Sequence, residues 1–291
     1  MTTVDLSVLS NLNFRQLHLR FDEERLALHV NLSPTSRPCF NLDLLGELHL
    51  LFDHLSITQG GFVFHGRVYR LNFLVLNSSV EGVFSLGADH ARVRVAIKKR
   101  DRVWLSHYAQ LCISILWFLF SPSMHLTTVS LVQGAALGYG FELGLATDVL
   151  IAEDHSRFGF PESLFDLFPG MGAISFLSRR VGLQAAKDIV ARGEIFNAVD
   201  MQLLGVVDVL SERGKGLSVL DQWLDVQRAN LKSIQAITRA KKIVSKLDRK
   251  ELDDVAAVWV NSAMTMDANS VRNLETLIRA QINKPKLKAV K

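Results

Sequence analysis

The 291-residue chain contains little cysteine and little proline, and each shortage excludes certain kinds of protein. Its two cysteines, Cys39 and Cys112, are far apart, and neither has a second Cys or a His at metal-ligand spacing. This excludes a disulfide framework and a cysteine metal site. Six prolines beside 48% hydrophobic residues exclude a collagen-like or disordered chain. We therefore expect a globular protein without a metal or other cofactor, in a reducing, cytoplasmic setting.

Long hydrophobic runs and a strong net charge are also lacking. The most apolar run, residues 111–120, has ten residues, which is too short to span a bilayer and predicts a buried helix. The first 16 residues have no basic segment before an apolar run, so they are not typical of a secretory signal. The excess of 33 basic over 29 acidic residues is mild. We expect neither membrane insertion nor nucleic-acid binding.

Strand-like and helical patterns follow one another along the chain. Alternating apolar residues on both sides of "DEER" predict a β-hairpin, and the stretches "LTTVSLVQG" and "DVLIAED" predict buried strands. Between the hairpin and these two strands we expect a polar helix over residues 93–108 and a separate apolar helix over 111–120. Repeated passage from strand to helix is typical of parallel α/β units. We predict an α/β core over residues 1–210 and a helical region over 211–291.

Two glutamates stand in unusually apolar stretches. Glu142 lies within "GYGFELGLATD", and Glu162 follows 20 residues later within "FGFPES", with a predicted strand between them. Paired carboxylates in an apolar cleft suit acid/base chemistry, because burial and mutual repulsion raise the pKa of one while the other stays ionised. Each glutamate alone is also typical of an ordinary helix start, where carboxylates are favoured.

Two glycine-containing turns accompany the glutamates. "SLGAD" and "ALGYG" offer backbone N–H groups at the start of predicted helices, where these groups lack helical partners. Two converging donors would form an oxyanion hole for a thioester enolate or a tetrahedral intermediate, although such turns are often only structural. Neither turn forms a phosphate loop or a dinucleotide fingerprint. We predict turn or cap roles for Asp89 and Asp148.

Four motifs occur in an order that resembles the crotonase (enoyl-CoA hydratase/isomerase) superfamily over about residues 20–210. They are "VFSLGAD", "VQGAALGYGFELGLATDVLIAED", "FGFPE" and "GEIFNAVDMQLLGVVDVL". The resemblance implies the ClpP/crotonase-like α/β fold, with stacked ββα units and a C-terminal helical region. Because both glutamates are present, it also implies the hydratase and dehydratase side of the superfamily.

Three further segments are similar to the diffusible-signal-factor synthases of bacterial quorum sensing. They are "RPCFNLDLLGEL", "KKRDRVWLSHYAQLCISIL" and "VWVNSAMTMDANSVRNLETLIRAQ". This resemblance implies dehydration of a 3-hydroxyacyl group on acyl carrier protein to the cis-2-enoyl form, and cleavage of the acyl thioester to free fatty acid. Glu142 and Glu162 would be the acid/base pair. Leu86 and Tyr139 would supply the oxyanion N–H groups, with Gly138 and Gly140 as alternatives to Tyr139, which replaces a common glycine.

The same resemblance implies the residues that contact the substrate. They are Gly87, Leu137, Gly138, Met171, Trp259 and Leu277. Leu137 would lie near the carbonyl, and Met171, Trp259 and Leu277 would line an apolar tunnel. By composition these apolar residues fit an ordinary core equally well.

The partners and the alternatives also follow from the resemblance. The basic residues of 98–102 and 241–250 would either dock acidic acyl carrier protein or form solvated helix faces. The assembly expected is a homotrimer or a dimer of trimers. One alternative function is a generic enoyl-CoA hydratase or isomerase of fatty acid oxidation. The other is a non-catalytic regulator with the same fold, which would bind a partner such as a membrane sensor kinase.

Overall fold

The computed structural model describes residues 13–121 and 125–282. Its strands are β1 (Leu17–Asp22), β2 (Ala27–Leu32), β3 (Gly61–Phe64), β4 (Arg67–Arg70), β5 (Phe73–Ser78), β6 (Gly82–Ser85), β7 (Thr127–Val132), β8 (Gly134–Leu137), β9 (Val149–Glu153), β10 (Arg157–Gly159), β11 (Ile195–Asn197) and β12 (Val209–Ser211). Most of the stretch that lacks a secretory-signal pattern lies outside the described residues.

Eleven α-helices and a short 3₁₀ helix accompany these strands in the described ranges. The helices are α1 (Leu42–Ile57), α2 (His90–Lys98), α3 (Arg102–Phe120), α4 (Tyr139–Ala146), α5 (Ala173–Val181), α6 (Leu183–Arg192), α7 (Ala198–Leu203), α8 (Gly216–Ala229), α9 (Leu231–Val244), α10 (Arg249–Thr265) and α11 (Ala268–Ile282). The 3₁₀ helix spans Pro161–Phe165 and carries one of the two glutamates.

Two sheets form the framework of the fold. The larger has the order β1-β2-β5-β7-β9-β12, in which the first pair is antiparallel and the others are parallel. The smaller has the order β11-β10-β8-β6, and β3 pairs only with β4. Every residue of β7 is buried, as expected for a central parallel strand. The predicted α/β class with a helical C-terminal region is confirmed.

Local sequence explains why several of these elements form. The Asn41 side chain caps α1 by accepting the N–H of Leu44, and the apolar stripe of this helix faces the core. The hairpin predicted around "DEER" is present as β1 and β2. Asp89 caps α2 by accepting the N–H of Arg92, as the sequence predicted.

The region of α2 and α3 differs from the sequence prediction. The predicted polar helix over 93–108 is in fact two helices, because Arg100 adopts a left-handed φ of 53° and Asp101 caps a new helix at the N–H of Trp104. The apolar run 111–120 is the second half of α3, which has 19 residues. By length and composition α3 alone, among the described helices, could cross a membrane. Its apolar face, however, packs on α1, α4 and α10.

One basic residue of segment 241–250 is buried rather than solvated. Lys242 places its Nζ 2.7 Å from Asp148 Oδ1, and both side chains are almost fully buried. Asp148 also accepts hydrogen bonds from the N–H and the hydroxyl of Thr128. Asp148 therefore joins α9 to the start of β7, beyond its predicted role as a turn or cap residue.

Candidate active site

Both glutamates line one narrow cavity, which has a free volume of about 20 Å³. Its walls come from the start of α2, the middle of α3, the start of α4, the 3₁₀ helix and the loop before α5. The lining residues are Ala88, His90, Val93, Tyr108, Cys112, Tyr139, Glu142, Glu162, Leu167, Phe168, Pro169, Gly170, Met171 and Trp259. The fold thus unites residues separated by more than half of the chain.

Glu142 lies in the first turn of α4 and is only 1% exposed. Its Oε1 accepts the N–H groups of Met171 and Ala173, both at 2.9 Å. These donors stand just before and at the start of α5, so the carboxyl group is held at a helix N-terminus. Burial, followed by the nearby charge of Glu162, raises the pKa of Glu142 to about 8.

Glu162 is held differently, with one oxygen that has no partner. Pro161 begins the 3₁₀ helix and turns the following carboxylate into the cavity. Glu162 Oε1 lies 3.8 Å from His90 Nε2, whereas Oε2 is buried and has no hydrogen-bond partner among the described residues. Burial raises the pKa of Glu162 to about 7. Because both glutamates are buried, neither is a solvent-facing helix-start residue.

His90 is a further titratable group in the cavity wall. Burial, with a smaller contribution from the charge of Arg37, lowers the pKa of His90 to about 4, so the imidazole is neutral at physiological pH. Its Nδ1 is buried without a partner in the described part of the chain. The sequence alone predicts no role for His90, although this residue directly follows the "GAD" motif.

Gly138 lies against the Glu162 carboxylate. Gly138 has a φ of 50°, and a Cβ built on it would be 1.8 Å from Glu162 Oε1. Gly87, with a φ of 89°, lies on the same side, where its Cβ would be 3.4 Å from that oxygen. Both predicted glycines therefore lie against the Glu162 carboxylate, in conformations that side chains rarely adopt.

The N–H of Tyr139 is available as a backbone donor. As the first residue of α4, Tyr139 has no helical acceptor for this group, and the described residues supply no other backbone acceptor. Its hydroxyl donates to the carbonyl of Cys112 at 3.0 Å, and its ring packs edge-on against Phe40. These two contacts hold the Tyr139 side chain in place. The alternative Gly138 is excluded, because its N–H donates to the carbonyl of Gly159.

The prediction of Leu86 as the second donor is wrong. The Leu86 N–H donates to the carbonyl of Pro38 at 2.7 Å, and the Gly87 N–H donates to Ser85 Oγ at 3.1 Å. Ala88 lines the cavity, and no acceptor for its N–H occurs in the described ranges. The free donor of the "SLGAD" turn is therefore two residues further along than predicted.

The residues predicted to contact the substrate are only partly brought together. Met171 and Trp259 line the cavity. Leu137 instead packs in a small cluster with Val83, Leu86 and Ala135, and it is not among the lining residues. Leu277 is buried on α11, outside the cavity wall. Contact of Leu277 with an acyl chain is therefore not supported by its position, and Leu137, predicted near the carbonyl, is not part of the cavity wall.

Two tyrosines complete a hydrogen-bonded wall. Tyr108 donates its hydroxyl to the carbonyl of Phe40 at 2.6 Å and accepts the N–H of Asp89 at 3.2 Å. Tyr139 is tied to α3 through Cys112, as described above. Within residues 13–121 and 125–282, no group of three His, Cys, Asp or Glu residues could hold a metal ion.

A family profile and several known proteins match most of the chain. The profile of the family described as Enoyl-CoA hydratase/isomerase matches residues 70–279. The probable enoyl-CoA hydratase 2, mitochondrial, of Arabidopsis thaliana is 27% identical over 218 residues, covering 75% of this chain and 66% of that protein. The methylglutaconyl-CoA hydratase, mitochondrial, of Mus musculus is 24% identical, covering 74% and 67% respectively. The chain thus spans about two thirds of the length of these relatives.

A solved structure supports the fold. The enoyl-CoA hydratase from Bacillus halodurans superposes with a TM-score of 0.73 over 90% of this chain and 99% of that chain, at 20% sequence identity. At this identity the similarity shows a shared fold. The predicted crotonase fold is therefore confirmed.

Proposed function

Because the chain belongs to the enoyl-CoA hydratase/isomerase family, we propose that it adds or removes water across the C2–C3 bond of an acyl thioester. The observation that carries this proposal is the presence of two buried glutamates, Glu142 and Glu162, in the wall of one cavity. Both have a pKa raised into the physiological range. Such a pair retains about one proton at neutral pH, and (de)hydration needs one acid and one base.

The hydrogen bonding of the two glutamates favours one assignment of roles in dehydration, because two N–H groups bind Glu142 whereas one oxygen of Glu162 has no partner among the described residues. Glu162, whose pKa is raised to about 7 and whose Oε2 is unpartnered, is the base that takes the C2 proton. Glu142, whose pKa is raised to about 8, is the acid that protonates the 3-hydroxyl as the C3–O bond breaks. Water leaves, a C2–C3 double bond forms, and the proton count of the pair is conserved. Hydration is the same sequence in reverse.

The backbone donors act on the thioester carbonyl. The N–H groups of Ala88 and Tyr139 would donate to the carbonyl oxygen, where negative charge develops as the C2 proton leaves. Stabilising this enolate acidifies C2 and makes removal of its proton by a carboxylate feasible. Neutral His90 adds no positive charge to the cavity, so these dipoles and the carboxyl groups dominate its electrostatics.

The more specific proposal is synthesis of a cis-2-unsaturated fatty acid signal. The substrate would be a 3-hydroxyacyl group on acyl carrier protein, and the segments similar to diffusible-signal-factor synthases support it. Release would use water: a glutamate takes a proton from it, and the hydroxide attacks the carbonyl carbon. The C–S bond then breaks, and the same glutamate returns the proton to the departing sulfur, which gives a free acid and a thiol. The oxyanion of this intermediate would accept from the same N–H groups.

A basic depression beside α2, the helix whose first residue lines the cavity, supports a carrier-protein substrate. Arg94, Lys98, Arg100 and Arg272 line it, between α2 and the start of α11. Acyl carrier protein is acidic, and cations of this kind would steer it toward the cavity. The generic alternative, an enzyme of enoyl-CoA metabolism, predicts CoA thioesters as the better substrates.

One product assay tests these proposals. The purified chain is given 3-hydroxydodecanoyl-acyl carrier protein or 3-hydroxydodecanoyl-CoA, and the products are identified by mass spectrometry. Free cis-2-dodecenoic acid from the carrier-bound substrate would support the signal synthase. Reversible hydration of trans-2-enoyl-CoA alone would reject it in favour of the generic hydratase.

Variants separate catalysis from a regulatory role. Glu142→Gln and Glu162→Gln should each abolish product formation, while Glu212→Gln, a substitution at an exposed glutamate, should not. If none of the thioesters reacts with the wild type, the non-catalytic regulator becomes the better explanation.

A further inference from the structure

A buried glutamine on the last described helix donates hydrogen bonds to the turn that carries the Ala88 N–H. Gln281, on α11, is 3% exposed. Its Nε2 donates to the carbonyl of Leu86 at 2.9 Å and to the carbonyl of Ala88 at 2.7 Å. One side-chain amide therefore holds two carbonyls of the same turn.

The two carbonyls lie on either side of the peptide group whose N–H, that of the cavity-lining residue Ala88, has no acceptor among the described residues. That group joins Gly87 to Ala88, and Gly87 has a φ of 89°, a conformation with little steric resistance to rotation in glycine. Fixing the carbonyls before and after it restricts rotation of the donor between them. We propose that Gln281 is a positioning residue that orients the Ala88 N–H toward the substrate carbonyl. This inference rests on the proposed thioester chemistry.

The same helix also holds the element that carries Glu162. Ser270, near the start of α11, donates its hydroxyl to Asp166 Oδ2 at 2.6 Å. Asp166 is the left-handed residue that ends the 3₁₀ helix. Between these two contacts, Arg94 of α2 pairs with Glu275 of α11 at 3.5 Å. α11 thus contacts the turn of residues 86–88 near its end and the 3₁₀ helix that carries Glu162 near its start.

Burial makes the glutamine contact difficult to replace. Where water has little access, a carbonyl that loses its donor remains unsatisfied or the turn rearranges to find another. The Ala88 carbonyl also accepts the N–H of His90, so it keeps one partner when Gln281 is removed. The turn can therefore persist with an altered donor direction, which affects the reaction more than the fold.

The first test removes the donor. Gln281→Met keeps the length of the side chain but cannot donate, and Gln235→Met is the matched control, because Gln235 donates to the His125 carbonyl on the exposed surface. We expect kcat to fall about 10- to 100-fold in Gln281→Met, with KM within about threefold, since oxyanion donors act mainly in the transition state. The control should retain wild-type kcat.

The second test uses pH within one folded protein. In Gln281→Glu, a protonated carboxyl can donate one hydrogen bond to the turn, whereas an ionised one cannot donate and would repel both carbonyls. Relative to the wild type at the same pH, its kcat should recover at least about fivefold between pH 9 and pH 6. Binding of 2,4-hexadienoyl-CoA should also show a smaller red shift of the enoyl chromophore at pH 9, because its carbonyl is less polarised.

The outcomes distinguish this inference from the proposed function. A wild type that turns over thioesters, with an unchanged Gln281→Met or a Gln281→Glu of constant relative kcat, rejects the positioning role alone. A wild type inactive on every thioester rejects the proposed function and this inference with it. If Gln281→Met does not fold, the pH response of Gln281→Glu still decides.

Discussion

The carboxylate of Glu162 occupies the space where a side chain at position 138 would be. A Cβ on Gly138 would lie 1.8 Å from Glu162 Oε1 and 2.8 Å from its Cδ. The same glycine adopts a φ of 50° at the entry to α4, which carries Glu142. One missing side chain therefore permits both the turn into α4 and the approach of the second glutamate.

Gly138→Ala should abolish activity. The added methyl group must displace the Glu162 carboxylate, and a displacement of about 1 Å in a catalytic group costs on the order of 100-fold in rate. Steady-state kinetics should show kcat/KM reduced by at least that factor. Gly46→Ala is the control, because Gly46 lies in α1 with nothing near its Cβ position, and it should leave activity unchanged. An active Gly138→Ala enzyme would show that the Glu162 position is not required.

The rate should depend on pH as a narrow bell. The pKa of Glu162 is raised to about 7 and that of Glu142 to about 8 by burial. Below this range both glutamates are protonated and no base is available, and above it both are ionised and no acid is available. A plot of log kcat/KM should peak between pH 7 and 8 and fall about tenfold per pH unit on each side. A flat profile between pH 5 and 9 would contradict the two-carboxylate mechanism.

The same carboxyl groups should weaken the fold at high pH. Their pKa is higher in the folded chain than in the unfolded chain, so the folded state retains protons that the unfolded state has lost. The free energy of unfolding therefore falls as pH rises from about 5 to 9. Glu142→Gln keeps an oxygen for the N–H groups of Met171 and Ala173, and it should raise Tm at pH 9 by about 5 °C, with less effect at pH 5. An equal gain at both values would refute the linkage.

The buried pair of Lys242 and Asp148 should be important for stability. Removing one partner leaves a buried charge without compensation, which costs about 3–5 kcal/mol. Lys242→Met should therefore lower the free energy of unfolding by about this amount, measured by urea denaturation, and adding Asp148→Asn should recover part of it. Lys250→Met, which breaks the exposed pair with Asp254, should have little effect. Equal losses in the two lysine variants would contradict this assignment.

Tyr139 should act through its backbone alone. Tyr139→Phe keeps the ring against Phe40 and loses only the hydroxyl that donates to the Cys112 carbonyl. We expect kcat/KM within about threefold of the wild type and a loss of about 1 kcal/mol in stability, typical of one buried hydrogen bond. A fall of several hundredfold in kcat/KM, with the fold intact, would instead mean that the phenol participates in the reaction.

Features encoded in local sequence were predictable. The hairpin of β1 and β2, the strand β7 and the pairing of Glu142 with Glu162 follow from alternation, β-branched composition and carboxylates in apolar stretches. The resemblance to the crotonase superfamily predicted the fold. These signals are short-range, so they can be read without knowledge of the packing.

Features decided by distant contacts were not predictable. Local sequence does not show that the Leu86 N–H donates to the Pro38 carbonyl, a contact that leaves the Ala88 N–H as the free backbone donor of the turn. Gln281 reaches the same turn from the far end of the chain. Lys242 belongs to a basic segment that otherwise faces solvent, and its burial depends on where α9 packs.

Two of the three tyrosines in the chain, Tyr108 and Tyr139, belong to the wall of the cavity, and the third, Tyr69, is on β4. Selective isotope labelling of tyrosine would therefore give an NMR spectrum of three residues, in which two signals report on the site and one serves as an internal reference. Because Tyr108 and Tyr139 line the cavity, their NMR signals should change when a substrate binds, whereas that of Tyr69 should not.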